Sequence, residues 1–107
     1  MATLDDEPGV AADLFGEQID VARSFTRELA ARGEVLGLIG PLEVERLWSR
    51  HIINCALVAP YLRARGRLAD IGSGAGLPGL VLAIARPDVD VTLIEPMERR
   101  LDWLLSE

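Results

Sequence analysis

The chain has 107 residues, enough for one small domain, and half of them are hydrophobic while 26% are charged. This balance is typical of a globular domain and excludes a disordered chain. Its apolar runs are too short to cross a bilayer, its acidic start is unlike a secretory signal, and its single cysteine excludes an intrachain disulfide. We therefore expect a cytoplasmic protein that does not insert into membranes.

The net charge is −6, and it is concentrated at the N-terminus. The first 20 residues carry no lysine or arginine and hold six acids: Asp5, Asp6, Glu7, Asp13, Glu17 and Asp20. The rest of the chain balances its acids with 11 arginines and contains no lysine. An acidic chain is not typical of a general nucleic-acid-binding protein.

The N-terminal part of the chain predicts a short leader followed by helices. Residues 1–9 are expected to be a disordered acidic leader, and residues 10–66 a helical region. Apolar residues recur at spacings of three and four from Ala12 to Arg32, which predicts a helix that stops near Gly33. Pro41 is placed in the first turn of a second helix, which is expected to run to about Leu62.

After the helices the pattern changes to a βαβ unit over residues 67–107. Arg67–Ile71 reads as a strand, Pro78–Ala85 as a short helix, Val89–Ile94 as a second strand and Met97–Ser106 as another helix. Two strands joined through a helix are expected to be parallel, with a right-handed crossover. The fold class is therefore predicted to be α/β.

This βαβ unit is expected to be only part of a sheet. Parallel sheets are normally covered on both faces, and two strands with open edges are too few for independent stability. We expect the chain to be the front half of a larger domain, truncated after the second strand and its helix. A second copy or another partner would then complete the sheet, so self-association is one expectation.

The main motif joins the first strand to the following helix and contains Asp70, Gly72, Gly74 and Gly76. Glycines are needed where the backbone takes positive φ or where a ligand approaches closely. The free N–H groups of a helix N-terminus favour an anionic group. The motif therefore predicts a ligand site at the end of the first strand.

Three classes of ligand are considered for this turn. A phosphate-binding P-loop needs a lysine after the glycines and is excluded, because the chain has none. A dinucleotide site needs Gly-x-Gly-x-x-Gly, which fails from Gly72 because position 77 is Leu77. Counted from Gly74 and Gly76, the spacing is satisfied through Gly79, so a dinucleotide-linked enzyme stays open as an alternative.

The third class is S-adenosylmethionine, whose class I methyltransferase signature is an acid followed by alternating glycines. The Asp70 carboxylate suits a cationic ligand better than a pyrophosphate. Glu95 ends the second strand 19 residues after Gly76, near the offset at which an acid accepts ribose hydroxyls. The competing interpretations are that Asp70 caps a helix, that Glu95 is an exposed strand-end acid, and that Gly79 serves packing.

Beyond this general signature, the decapeptide Asp70–Gly79 resembles the glucose-inhibited division protein B family of bacterial 16S ribosomal RNA guanine-N7 methyltransferases. Leu47–Cys55 resembles the family's Arg-His element, and Thr92–Glu95 with the following Arg99 and Arg100 resembles its second-strand acid and basic pair. The resemblance spans residues 36–105. Two features depart from the family: its polar Asn-Leu-Thr-like element is replaced by Leu36–Gly40, and its members are longer.

The resemblance implies a class I, Rossmann-like methyltransferase domain with an N-terminal helical cap, which acts on 16S ribosomal RNA or the small ribosomal subunit. Guanine N7 carries a lone pair and no proton, so direct in-line methyl transfer needs alignment rather than a catalytic base or a metal. The residues implied to bind S-adenosylmethionine are Asp70, Gly72, Ser73, Gly74, Gly76, Leu77 and Glu95. Those that would meet RNA or the ligand are Arg50, His51, Arg99 and Arg100.

Several single residues also have a structural interpretation. His51 shares an apolar helix face with Trp48 and Cys55, which favours a buried structural histidine over a functional one. The two tryptophans, Trp48 and Trp103, are expected in the core, and Cys55 is expected to be buried and unreactive. For the whole chain, the alternatives are an NAD- or FAD-linked oxidoreductase fragment and a non-catalytic truncated subunit.

Overall fold

A computed structural model describes residues 3–71, 77, 79–95 and 98–106 of the chain. Its first helices are α1, Val10–Phe15, and α2, Ile19–Arg32, joined by a 3-10 turn over Gly16–Gln18. The single helix predicted from Ala12 to Arg32 is thus broken. The break falls at Gly16, whose φ of 55° is readily adopted only by a residue without a Cβ. The predicted end before Gly33 is confirmed.

The second helical stretch is less regular than predicted. Pro41 lies in a turn, and the chain then forms a 3-10 turn, a π-helical segment and α3 in succession: Val44–Arg46, Leu47–Ile52 and Ile53–Ala56. A further 3-10 turn covers Ala59–Tyr61. The prediction of one continuous helix to Leu62 is wrong, although Leu47, Trp48 and Ile52 are buried as their spacing indicated.

Residues 3–8 lie against these helices, which differs from the disordered leader expected there. The carboxylate of Asp5 accepts hydrogen bonds from the backbone N–H groups of Trp48 (2.9 Å) and Ser49 (3.0 Å) and from the Ser49 hydroxyl (2.9 Å). Glu7 pairs with the Arg23 guanidinium through two bonds of 2.6 and 3.0 Å. Asp5 and Glu7 of the leader therefore have partners within the chain, which charge patterning alone did not reveal.

The βαβ unit forms as predicted. Strands β1, Arg67–Ile71, and β2, Asp90–Ile94, pair in parallel, with Ile71 opposite Ile94. Helix α4, Gly79–Ala85, connects them, and α5, Glu98–Ser106, follows β2. One face of the pair packs against α4, whereas the other leaves Ile71 81% exposed.

A single core joins the helical region to the βαβ unit. Trp103 of α5 and Leu29 of α2 are almost fully buried, and the Phe25 and Trp103 ring centroids lie 6.3 Å apart. Trp48 is buried in the same core, so the prediction for both tryptophans is confirmed. Within the described part of the chain, no helix combines the length and the apolar character needed to cross a bilayer.

Candidate functional site at the carboxyl ends of the strands

Asp70, the penultimate residue of β1, is tied directly to the start of α4. Its Oδ2 atom accepts a hydrogen bond of 2.9 Å from the backbone N–H of Gly79. A Cβ atom at Gly79 would lie 2.5 Å from that oxygen and 2.5 Å from Cδ2 of Leu93, so only glycine fits. The capping role for Asp70 and the packing role for Gly79 are therefore confirmed. A carboxylate accepts several hydrogen bonds, so capping is compatible with ligand binding.

Glu95 lies at the same edge of the sheet as Asp70. It is half-buried and directly follows Ile94, whose partner across the parallel pair is Ile71, the neighbour of Asp70. Adjacent strands are about 4.8 Å apart, so the two acids belong to one region. The fold thus brings together the acids that the sequence singled out.

The loop between Asp70 and α4 is only partly described. Leu77 is half-buried and packs against the hydrophobic core, which gives it a structural contact. The other predicted cofactor-binding residues of the turn, Gly72, Ser73, Gly74 and Gly76, lie outside the described residues.

Cys55 belongs to α3, which follows the segment that carries Arg50 and His51. Its thiol is half-buried, and burial, together with the nearby charge of Asp70, raises its pKa to about 11. A thiol with a raised pKa is mostly protonated at neutral pH and reacts slowly. This agrees with the unreactive cysteine expected from the sequence.

The Arg-His pair lies on the π-helical segment Leu47–Ile52. Arg50 is exposed, and the side chain of His51 is 32% exposed. The prediction of a buried histidine is wrong, because the ring turns toward the Glu43 carboxylate, with Nε2 bonded to Oε2. Exposure leaves both residues accessible to a ligand.

Glu43 itself was not singled out from the sequence. It accepts bonds of 3.2 and 2.7 Å from the Arg46 guanidinium in addition to the contact with His51. Arg46 first, and His51 second, lower the pKa of the Glu43 carboxyl to about 2. The spacing of three between Glu43 and Arg46 was a visible signal for this ion pair.

The other candidate groups are located differently. Arg99 and Arg100 belong to the first turn of α5, but their side chains lie outside the described residues. No group of three or more metal-binding side chains occurs in the part of the chain that is described. A cavity of about 230 Å³ lies at the opposite end of β1, beside Arg63 and Arg67, and is not part of the candidate site.

Comparison with known proteins points to a specific family. The family model described as rRNA small subunit methyltransferase G matches residues 18–106. The chain is 70% identical over 101 residues to the ribosomal RNA small subunit methyltransferase G of Clavibacter michiganensis subsp. michiganensis, which covers 94% of this chain and 47% of that protein. The proteins of the same name from Leifsonia xyli subsp. xyli and Mycolicibacterium gilvum are 66% and 52% identical, over 92% and 96% of this chain and 46% and 45% of theirs. The chain therefore spans about half the length of the curated relatives it matches.

Proposed function

The chain belongs to the rRNA small subunit methyltransferase G family, and from this premise we propose that it forms the cofactor-binding half of an S-adenosylmethionine-dependent methyltransferase acting on N7 of a guanine in 16S ribosomal RNA. The observation that carries the proposal is the family match over residues 18–106, which includes the glycine turn and both strand-end acids. The reported relatives are named as methyltransferases, and none of them favours the dinucleotide alternative.

The described residues fit this cofactor. S-adenosylmethionine supplies a methyl group on a cationic sulfonium and carries an ammonium group at its methionine end. Asp70 would meet that end directly or through water, and Glu95 would accept the ribose hydroxyls, since both are half-buried acids at one edge of the sheet. The neighbouring turn residues Gly72, Ser73, Gly74, Gly76 and Leu77 would bring the backbone close to the ligand.

The chemistry of the target requires little from the protein beyond alignment. Guanine N7 has a lone pair to donate and no proton to lose, so we assign no catalytic base and no metal. Holding two reactants in line supplies a large share of the rate in such reactions. Arg50, His51, Arg99 and Arg100 would hold the RNA or the ligand, with arginine suited to phosphate recognition.

We place this activity in the cytoplasm, on 16S ribosomal RNA or the small ribosomal subunit. The helical region 10–66 would form a cap, residues 67–107 would supply the first βαβ unit of the cofactor domain, and the exposed sheet face at Ile71 and Ile94 would be covered by further structure. Self-association is one route to that cover, and sedimentation of the chain at several concentrations tests it.

The test of cofactor binding is a thermal melt of the chain with and without S-adenosylhomocysteine. A ligand that binds only the folded state stabilises it by about 2.7 kcal/mol at a hundred times its Kd. We expect an upward shift for the wild-type chain and a smaller shift for Glu95→Gln. Asp90→Asn is the matched control, because Asp90 is exposed at the other end of β2.

Each other outcome has a defined meaning. A shift with NADH but not with S-adenosylhomocysteine would contradict the proposal in favour of an oxidoreductase. A cooperative melt that neither compound moves would indicate a folded subunit without a cofactor site. Equal shifts for Glu95→Gln and the wild-type chain would remove Glu95 from the proposed site.

A further inference from the structure

The Glu43 carboxylate holds two side chains that come from different turns of the chain. Arg46 approaches it with Nε and Nη2, and His51 approaches it with Nε2. Glu43 is only 25% exposed, and His51 and Arg46 retain intermediate exposure. The three residues form a cluster, which we call the Glu43 cluster, at the surface of the helical region.

The backbone that carries His51 is unusual. Leu47–Ile52 is π-helical, a rare geometry that often occurs at functional sites. Side chains hold it at both ends, since Asp5 caps the N–H groups of Trp48 and Ser49 while Glu43 binds His51. Two independent acids thus constrain the turn that contains Arg50 and His51.

This turn is close to the candidate cofactor region. Cys55 follows His51 by about one helical turn, and its thiol is near enough to Asp70 for the carboxylate charge to raise its pKa. Helix α3, which follows the segment carrying His51, packs against α4, whose first residue is hydrogen-bonded to Asp70 at the carboxyl end of β1. His51 is the accessible imidazole of that segment.

We propose that Glu43 is a positioning residue, which fixes the His51 ring so that Nδ1 accepts a hydrogen bond from an N–H or O–H donor of the RNA substrate. The inference rests on the proposed function, in which His51 contacts RNA. An ionised carboxylate can only accept, so the Nε2 atom facing Glu43 carries a proton. In the neutral imidazole Nδ1 is then the acceptor, and guanine offers N–H donors from its amino and ring nitrogens.

Arg46 gives the cluster a second property that suits an RNA surface. A lone carboxylate beside His51 would repel phosphate groups. The Arg46 guanidinium binds the same carboxylate with both of its facing nitrogens and cancels its charge. Glu43 can therefore orient His51 without making the surface around Arg50 and His51 negative.

The first measurement uses the fact that His51 is the only histidine in the chain. In a ¹⁵N-labelled sample at pH 8, every imidazole signal belongs to His51. We expect the Nε2-protonated form, with a ring N–H proton whose exchange with water is slowed about tenfold or more by its charge-assisted bond.

The variants separate positioning from folding. Glu43→Ala should lose the slowly exchanging ring N–H, whereas Glu43→Gln keeps an acceptor and should retain it with faster exchange. Glu45→Ala is the control, because Glu45 is an exposed acid two residues away. If Glu43→Ala does not fold, the change in Glu43→Gln decides the result. A ring N–H signal that is absent in the wild-type chain, or unchanged in the Glu43 variants, would overturn the proposal.

The second measurement follows the ring carbon-bound protons while guanosine 5′-monophosphate is added. We expect them to shift in the wild-type chain and in Glu45→Ala, with a Kd about tenfold weaker in Glu43→Ala. Equal affinities, or no response of His51 in any variant, would overturn the positioning role. The melt with S-adenosylhomocysteine tests the proposed function separately, because that ligand does not require the Glu43 cluster.

Discussion

The Oδ2 atom of Asp70 lies 2.9 Å from the backbone nitrogen of Gly79 and accepts its hydrogen bond, although nine residues separate the two along the chain. One carboxylate thereby joins the end of β1 to the first residue of α4. The bond requires the helix backbone to come closer to the strand than a side chain would permit. The packing of α4 on the sheet and the orientation of the Asp70 side chain therefore depend on each other.

Gly79→Ala should destabilise the chain and displace Asp70. The added Cβ would lie 2.5 Å from both Asp70 Oδ2 and Leu93 Cδ2, and forcing a methyl group into a packed site costs about 1–3 kcal/mol. Urea unfolding measures the change. Gly9→Ala is the control, because a Cβ at Gly9 meets no atom within 4 Å. Equal stability of the two variants would mean that the helix shifts without cost.

Asp5→Ala should destabilise the helical region, since it removes the acceptor for three hydrogen bonds from Trp48 and Ser49. Loss of a capping side chain costs about 1–2 kcal/mol. Asp6→Ala removes a neighbouring exposed acid of equal charge and should change the unfolding free energy little. If both variants lose the same stability, the effect comes from net charge and not from the cap.

Arg86→Lys should lower the melting temperature, although it conserves the charge. The Arg86 guanidinium donates to the backbone oxygens of Ala59 (2.7 Å) and Leu62 (3.0 Å) and binds both carboxylate oxygens of Asp88 at 2.8 Å. A lysine ammonium cannot span these acceptors, and we expect a loss of about 5 °C. The exposed Arg27 provides the matched control, Arg27→Lys, which should melt like the wild-type chain.

Cys55 should react slowly with a disulfide reagent in the folded chain. A pKa of about 11 instead of the usual 9.0 lowers the thiolate fraction at pH 8 about a hundredfold, and the thiolate is the reactive form. The rate in urea should therefore exceed the native rate by about that factor. Because Cys55 is the only cysteine, the assay reports one site. A native rate equal to the rate in urea would show that the thiol is accessible and its pKa ordinary.

Local patterns were sufficient to predict the βαβ unit. Three local signals predicted both strands, their parallel pairing and the connecting helix. They are the change of apolar period after residue 66, the glycines between β1 and α4, and the turn before β2. The two strand-end acids could be selected for the same reason, because parallel strands end at one edge of a sheet. These features depend on residues that are close together along the chain.

Features that depend on distant residues were not predicted. Asp5 reaches Ser49 across 44 residues, so the leader looked disordered when only its composition was considered. The assignment of His51 to a buried face assumed regular α-helical spacing, which the π-helical turn changes. Glu43 then supplies a polar partner at the surface, and the ring turns toward it.

The π-helical turn also sets a length constraint on this region. A π-helical turn accommodates one residue more than an α-helical turn, so deleting a single residue within Leu47–Ile52 would convert it to regular helix. The helices on either side would keep nearly the same relative rotation, because one wide turn is replaced by one α-helical turn, whereas residues inside the segment would shift around the helix axis. Such a shift would change the positions of the groups in this segment that meet Glu43 and Asp5, which both lie outside it. Substitutions should therefore be tolerated in this segment more readily than insertions or deletions.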